Sequence, residues 1–250
     1  MRAMEQRSKT IQAVTFDAYG TILHLDRPFE RLRDQLHGMG HRVPLEAVKE
    51  AFIHEMTYYR DHHLEAVDAE RLLALRYRCA EVLFGKLAEK GYQVEASPES
   101  KLALLMNSIR FQPYDDVLPI LRWCSSRGLV TGVISNWDYS LPTTLDGAIE
   151  GHGFHCILVS ATEGIIKSDP DIYHRAAERL GLPASSILHI GDEIENDLNT
   201  PRKAGFNAVL LDRDGRHRGV KGLCIQGLTE FPSKVEDAIG ANPQITAPEK

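Results

Sequence analysis

The stretch IQAVTFDAYGT, residues 11–21, decides how the rest of the chain is read. Its first half is a short β-rich apolar run that stops on a carboxylate, Asp17, and Gly20 follows at once as a turn signal. A strand that hands an acidic residue to a tight turn predicts the start of an α/β unit. Downstream the same rhythm recurs. After the turn FQPYDD (111–116), a helix near Val117 to Ser126 leads into the apolar run LVTGVIS (129–135). A helix near Leu141 to Glu150, the run FHCILVS (154–160), a helix from Asp169 to Leu180 and the run SILHIG (186–191) continue it. A helix from Ile194 to Ala204 and the run NAVLL (207–211) complete it. Strands alternating with helices predict a parallel sheet covered on both faces.

Between the first two strands the period changes. Phe29, Leu32 and Leu36, then Val48, Phe52 and Met56, then Leu72, Leu75, Cys79, Val82 and Leu83, then Leu102, Leu105 and Ile109 recur at helical spacing. This block is far longer than one crossover helix and contains no clear strand. The expected architecture is therefore an α/β, Rossmann-like parallel-sheet core in two pieces, residues 11–26 and 111–240, with an inserted all-helical cap over residues 27–110. Residues 1–10 and 241–250 read as tails.

The 250 residues are 43% hydrophobic and 26% charged, an ordinary composition for a soluble enzyme-like chain. A formal charge of −6 offers no basic footprint for a phosphate backbone, so nucleic acid is not expected as a partner. No run approaches the roughly 18 apolar residues of a membrane span, and the polar first ten residues lack the apolar stretch of a signal peptide. A cytoplasmic protein without membrane attachment is expected. Cys79, Cys124, Cys156 and Cys224 lie far apart and read as ordinary buried thiols.

Ligands in open α/β sheets bind beyond the carboxyl ends of the strands. Asp17 ends the first strand, Ser135 and Asn136 end the second, Lys167 follows the third, and Gly191 and Asp192 end the fourth. Taken singly, these residues have everyday roles as turn residues, helix caps or a solvated lysine. Together they bring a nucleophile, a hydroxyl, a cation and further carboxylates to one sheet edge. That set suits phosphoryl transfer, in which an attacking carboxylate needs a lysine and a divalent cation to offset the charge of the phosphate. Asp17 and Asp192 are hard oxygen ligands of the kind magnesium prefers. Asp197, five residues on from Asp192, can serve the same loop by holding metal waters or Lys167.

The runs VTFDAYGTIL, GVISNWD, GIIKSDPDIY and ILHIGDEIENDLNTPRKAG resemble, in order and spacing, the four motifs of the haloacid-dehalogenase-like hydrolase superfamily. The insert is similar to that superfamily's helical C1 cap. The resemblance implies Asp17 as nucleophile, the Tyr19 carbonyl as a metal ligand, and Thr21 as a hydroxyl orienting the Asp17 region. Ser135 and Asn136 would bind phosphoryl oxygens, Lys167 would stabilise charge, Asp192 would ligate magnesium and Asp197 would support the metal shell. The cap would close over a small phosphorylated metabolite and select it.

One position departs from the phosphatase pattern. Two residues after the nucleophile, where those enzymes carry a second aspartate as general acid and base, this chain has Tyr19. A phenol with a pKa near 10 serves poorly as a base at neutral pH. The DAYGT form also resembles the metal-free 2-haloacid dehalogenases, which use a cap arginine for the substrate carboxylate; Arg42 and Arg60 are the candidates here. Retention of Gly191-Asp192 speaks for the metal-dependent branch. A catalytically weak module that binds a phosphorylated ligand or a protein is the third possibility.

Elsewhere, His54, His62 and His63 beside Tyr58 and Tyr59 read as a solvated helix surface. Trp137 and Asp138 are candidates for the pocket mouth, with packing an equal role for Trp137. Arg213, Arg216, His217, Arg218 and Lys221 read as a solvated basic loop.

Overall fold

The computed structural model describes residues 10–217 and 224–235. Residues 1–9, Arg218 and Lys221, the expected end of the core at 236–240 and the C-terminal tail lie outside the described residues. In chain order the elements are β1 (Ala13–Phe16), β2 (Leu23–Leu25), α1 (Pro28–Gly38), α2 (Leu45–His62), α3 (Ala69–Glu89), α4 (Pro98–Ser108) and β3 (Phe111–Pro113). There follow α5 (Val117–Ser126), β4 (Val130–Ser135), α6 (Leu141–Ala148), β5 (Cys156–Val159), α7 (Ser160–Glu163) and α8 (Asp171–Leu180). The last are β6 (Ile187–Gly191), a π-helical turn (Ile194–Asn199), α9 (Thr200–Lys203), β7 (Asn207–Leu211), β8 (Cys224–Ile225) and α10 (Phe231–Val235).

Six parallel strands form one sheet in the order β5-β4-β1-β6-β7-β8. β1, β6 and most of β4 are buried throughout, as an apolar strand covered on both faces must be. The order places β1 between β4 and β6. Successive connections therefore leave β1 toward opposite edges of the sheet, and the carboxyl ends of these three strands open onto one crevice.

The insert forms its own apolar layer. Leu32 and Leu36 of α1, Val48, Ala51 and Phe52 of α2, Leu75, Leu83 and Leu87 of α3 and Leu105 of α4 pack together, largely apart from the sheet's core. Asp68 caps α3 by accepting from the Arg71 amide, and Ser97 caps α4 by accepting from the Ser100 amide.

Several features differ from the sequence reading, among them the short helix α7, which takes Ser160 from the end of the expected strand FHCILVS. A two-stranded antiparallel ribbon, β2 with β3, joins the two ends of the insert through the pairs Leu23–Pro113, His24–Gln112 and Leu25–Phe111. Three-residue strands are too short to show a period. The expected helix from Ile194 to Ala204 is divided into the π turn and α9, with Pro201 at the start of the latter. The first strand begins at Ala13 rather than Ile11. Among the described residues no helix is long and apolar enough to cross a membrane. Cys79, Cys124 and Cys156 are buried free thiols, and Cys224 is partly exposed.

Candidate active site

The crevice is organised by main-chain pairing. β1 pairs with β6 so that Thr15 lies beside His189 and Phe16 beside Ile190, and the Asp17 amide then donates to the Ile190 carbonyl at 2.9 Å. This fixes Asp17 at the level where β6 ends in Gly191 and Asp192. Gly20, at φ 85°, turns the chain directly after Asp17. A Cβ on Gly20 would lie 2.6 Å from Asp192 Oδ2, so only glycine lets that carboxylate lie against the loop backbone.

The Lys167 ammonium is 2.5 Å from Asp17 Oδ1 and also bonds Asp197 Oδ1. Lys167 and Asp17 are 2% and 6% exposed, and Asp197 is wholly buried. Ser135 at the end of β4 donates its hydroxyl to Asp17 Oδ1 at 3.2 Å. Asn136 accepts from the Lys167 amide through its side-chain oxygen at 2.9 Å, tying the lysine's loop to the end of β4. Among the described residues the hydrogen bonds to the Asp17 carboxylate go to Oδ1 and none reaches Oδ2.

One lysine shared by two carboxylates leaves the site too negative. Burial, reinforced by Asp197 and Asp192 and opposed by Lys167, pushes Asp17 up to about 7. Burial, then the charge of Asp197, raises Asp192 to about 6. Asp197 lies well below the usual carboxylate range; Lys167 and the hydrogen bond from His189 overcome the burial that would raise it. Lys167 is raised well above an ordinary lysine because its two carboxylates outweigh its burial. Asp17, Asp192 and Asp197 each offer an oxygen within 4.8 Å of the others.

The crevice thus gathers Asp17, Ser135, Asn136, Lys167, Asp192 and Asp197. Tyr19, 43% exposed, stands at the mouth, with Tyr114 and Asp192 near enough to raise its phenol beyond the effect of burial. The Thr21 hydroxyl is buried without a hydrogen-bond partner among the described residues, while the Thr21 carbonyl accepts from Arg213. Arg42 and Arg60 are both exposed.

Two assignments are corrected. Arg213 is not a solvated residue. Its guanidinium makes a bidentate pair with Asp116, at 2.8 and 2.9 Å, and lies 3.9 Å from the centroid of the Tyr114 ring. His63 is also buried, accepting from Ser160 through Nε2 at 2.9 Å and donating to the Arg60 carbonyl through Nδ1 at 2.7 Å. Beside it, the Tyr59 hydroxyl donates to Asp138 at 2.6 Å. These contacts join the end of α2 and the turn after it to the loop after β4 and the start of α7, so Asp138 is a buried seam residue, while Trp137 packs in the sheet's apolar core. His54 is exposed and His62 half-buried. The residue missed from the sequence is His189, a wholly buried histidine in β6. Its only signal was a polar side chain inside an apolar strand.

Residues 11–205 match the family model described as haloacid dehalogenase-like hydrolase. The haloacid dehalogenase-like hydrolase domain-containing protein 3 of Danio rerio is 33% identical over 162 residues, 62% of this chain and 61% of that protein, so the matched region spans less than two thirds of the relative. A glyceraldehyde 3-phosphate phosphatase of Methanopyrus kandleri is 26% identical over 216 residues, covering 81% of this chain and 84% of the relative. A solved structure titled as an analysis of a dehalogenase superposes with a TM-score of 0.67 at 20% identity, covering 90% of this chain and 96% of that one, a likeness of fold. With the model match running from β1 through α9 and the sheet order and strand-end residues described above, the chain belongs to the haloacid dehalogenase-like hydrolase family.

Proposed function

We propose that the chain is a magnesium-dependent phosphohydrolase acting on a small phosphorylated metabolite through an aspartyl-phosphate on Asp17. The observation that carries this reading is the excess of carboxylate over ammonium in one crevice, with Asp17, Asp192 and Asp197 within 4.8 Å and, among the described residues, Lys167 as the one ammonium paired with them. Such a donor set fits a hard divalent cation. The glycine-lined approach of Asp192 to the Gly20 loop fits it further, because it brings a carboxylate against the backbone that carries the Tyr19 carbonyl. Asp17, Asp192 and that carbonyl would hold the ion, while Asp197, its oxygens engaged by Lys167, His189 and the Glu193 amide, supports from behind. When bound, magnesium supplies charge neutralisation at the phosphoryl oxygens.

The chain's own residues account for the remaining steps. The Asp17 carboxylate forms a bond to phosphorus as the bond to the leaving oxygen breaks. Lys167, held on Asp17 Oδ1, offsets the negative charge that gathers there. Ser135 and Asn136, on the end of β4, orient the nucleophile and the loop that carries the lysine. Water then attacks the phosphorus of the aspartyl-phosphate, releasing phosphate and restoring Asp17. The Tyr19 phenol, raised above its ordinary pKa, is a weak acid for the leaving oxygen, so leaving groups that depart without a proton are favoured. The Methanopyrus relative, named as a phosphatase, agrees with this reading.

The test is release of inorganic phosphate from a panel of acyl, aryl and alkyl phosphates, with and without magnesium, alongside halide release from 2-haloacids. The expected result is magnesium-dependent phosphate release that falls by about 10²- to 10⁴-fold from good to poor leaving groups, the usual contribution of general acid catalysis. Metal-independent halide release would overturn it in favour of a 2-haloacid dehalogenase, the reading favoured by Tyr19. Against that alternative, Asp192 adds negative charge where a haloacid carboxylate would approach, and Arg42 and Arg60 are exposed. Retained binding of phosphorylated ligands without turnover would instead favour the binding module.

A further inference from the structure

Five side chains form a continuous buried line behind the nucleophile: Thr15, His189, Asp197, Lys167 and Asp17. His189 Nδ1 is 2.9 Å from the Thr15 hydroxyl and Nε2 is 2.9 Å from Asp197 Oδ1, the same oxygen that Lys167 bonds. The Asp197 carboxylate only accepts, so Nε2 carries a proton and Thr15 donates to a bare Nδ1. Burial, the dominant influence, lowers the imidazole's affinity for a second proton. The ring cannot swing away. Thr15 and His189 are paired across β1 and β6, and the Tyr173 ring meets the imidazole edge to face with centroids 5.2 Å apart.

We propose that His189 is a positioning residue for the nucleophile, acting through Asp197 and Lys167. It rests on the reading that Asp17 is the nucleophile, and it applies whether the leaving group is an alcohol or a halide. Asp197 Oδ1 receives two donors, His189 and Lys167, while Oδ2 accepts from the Glu193 amide at 2.9 Å. With His189 in place, part of the Asp197 charge is already satisfied, and the Lys167 ammonium stays shared between Asp197 and Asp17. Without that donor, Asp197 is an under-bonded buried anion and draws the ammonium from Asp17. Gly191 completes the arrangement, since any Cβ there would overlap the Asp197 side chain. Neither His189 nor Thr15 touches the part of the crevice that a substrate enters, so the effect falls on the chemical step rather than on binding.

Two variants and one spectroscopic measurement on the full chain test this. His189→Leu fills the space but donates nothing, and leaving a buried charge short of a donor predicts a loss in kcat of roughly 10- to 100-fold with little change in KM. His189→Gln can reach Asp197 with its amide nitrogen, and it is expected to recover most of kcat even where its melting temperature stays as low as that of the leucine variant. A merely structural histidine would not divide kcat from stability in this way. An unchanged kcat in folded His189→Leu, or a glutamine variant no better than leucine, would overturn the proposal. Should His189→Leu not fold, the comparison of His189→Gln with His189→Asn, whose shorter side chain falls short of Asp197, takes its place, with the larger kcat loss expected for His189→Asn. The ¹⁵N shifts of the wild-type imidazole are independent of turnover: one protonated Nε2 and one bare Nδ1 are expected. A ring protonated on Nδ1 overturns the proposal. A chain inert toward every phosphate and haloacid, yet showing the expected tautomer, would refute the functional reading and leave the positioning geometry standing.

Discussion

The sheet end buries Asp17, Lys167 and Asp197 in contact with one another, whereas the helical insert buries a single carboxyl, Glu55, with the Cys79 thiol as its hydrogen-bond partner. In the first region opposite charges meet, so Asp197 and Lys167 stay ionised out of water, while Asp17, which shares that one ammonium, is pushed up to about 7. In the second, among the described residues, no cation answers the carboxyl, and burial pushes Glu55 up to about 7, so near neutrality it is only about half ionised. Where buried charge is paired, it is available for chemistry. Where it is unpaired, the protein holds a proton in its place, and the site is a structural cost that varies with pH.

The comparison breaks at its strongest point if Asp17 is dispensable. Asp17→Asn keeps the shape and removes the nucleophilic oxygen, and it is expected to lower kcat/KM by more than about 10³-fold with an unchanged circular dichroism spectrum. A steady-state assay on the best substrate of the panel checks this. The insert offers the next largest effect. Glu55 binds its proton more tightly folded than unfolded, so its contribution is fully present below about 4.5 and is lost as pH rises through about 7. Relative to Glu55→Gln, the wild type should lose about 3 kcal/mol between pH 4.5 and pH 8, read from denaturant midpoints of both proteins at each pH. Parallel pH dependences in the two proteins would mean that Glu55 is answered by a cation after all.

Magnesium sharpens the contrast from the other side. At a concentration about 100-fold above its Kd it should stabilise the wild type by about 2.7 kcal/mol, and Asp192→Ala should erase that gain; melting curves with and without the ion decide it. The smallest effect lies at the seam between the two regions. Tyr59→Phe removes the donor to buried Asp138 and should cost about 1–2 kcal/mol, measured by chemical denaturation.

Sequence carried the crevice because its residues stand at strand ends, where an apolar run and the turn after it can be read within ten residues. Asp17, Ser135 and Asp192 were legible in that way, and Lys167 as a lone cation in the loop ahead of α8. Arg213 was not, because its neighbours Arg216 and His217 look like a solvated basic loop while its partner Asp116 lies 97 residues away. His63 has its partner Ser160 at the same separation, 97 residues. His189 sits where periodicity calls for an ordinary core side chain, and its partner Asp197 became visible only once the π turn had folded the carboxylate back over Gly191. Local pattern records which residues are buried. It does not record which distant residue each one meets.

The ribbon at the base of the insert has a consequence for how this protein could be cut and rejoined. β2 and β3 run antiparallel, and beyond Leu25 and Phe111 the Asp26 amide still donates to the Arg110 carbonyl at 2.9 Å. Geometrically this is a β-hairpin whose loop happens to be residues 27–110. Because the entropy of closing a loop grows only with the logarithm of its length, a helical layer on such a stem costs only about 3 kcal/mol more to close than a two-residue turn, an increment its own apolar packing can offset. The sheet would then accept a different lid on the same stem, and Asp26 and Arg110 mark the two points at which the graft is made.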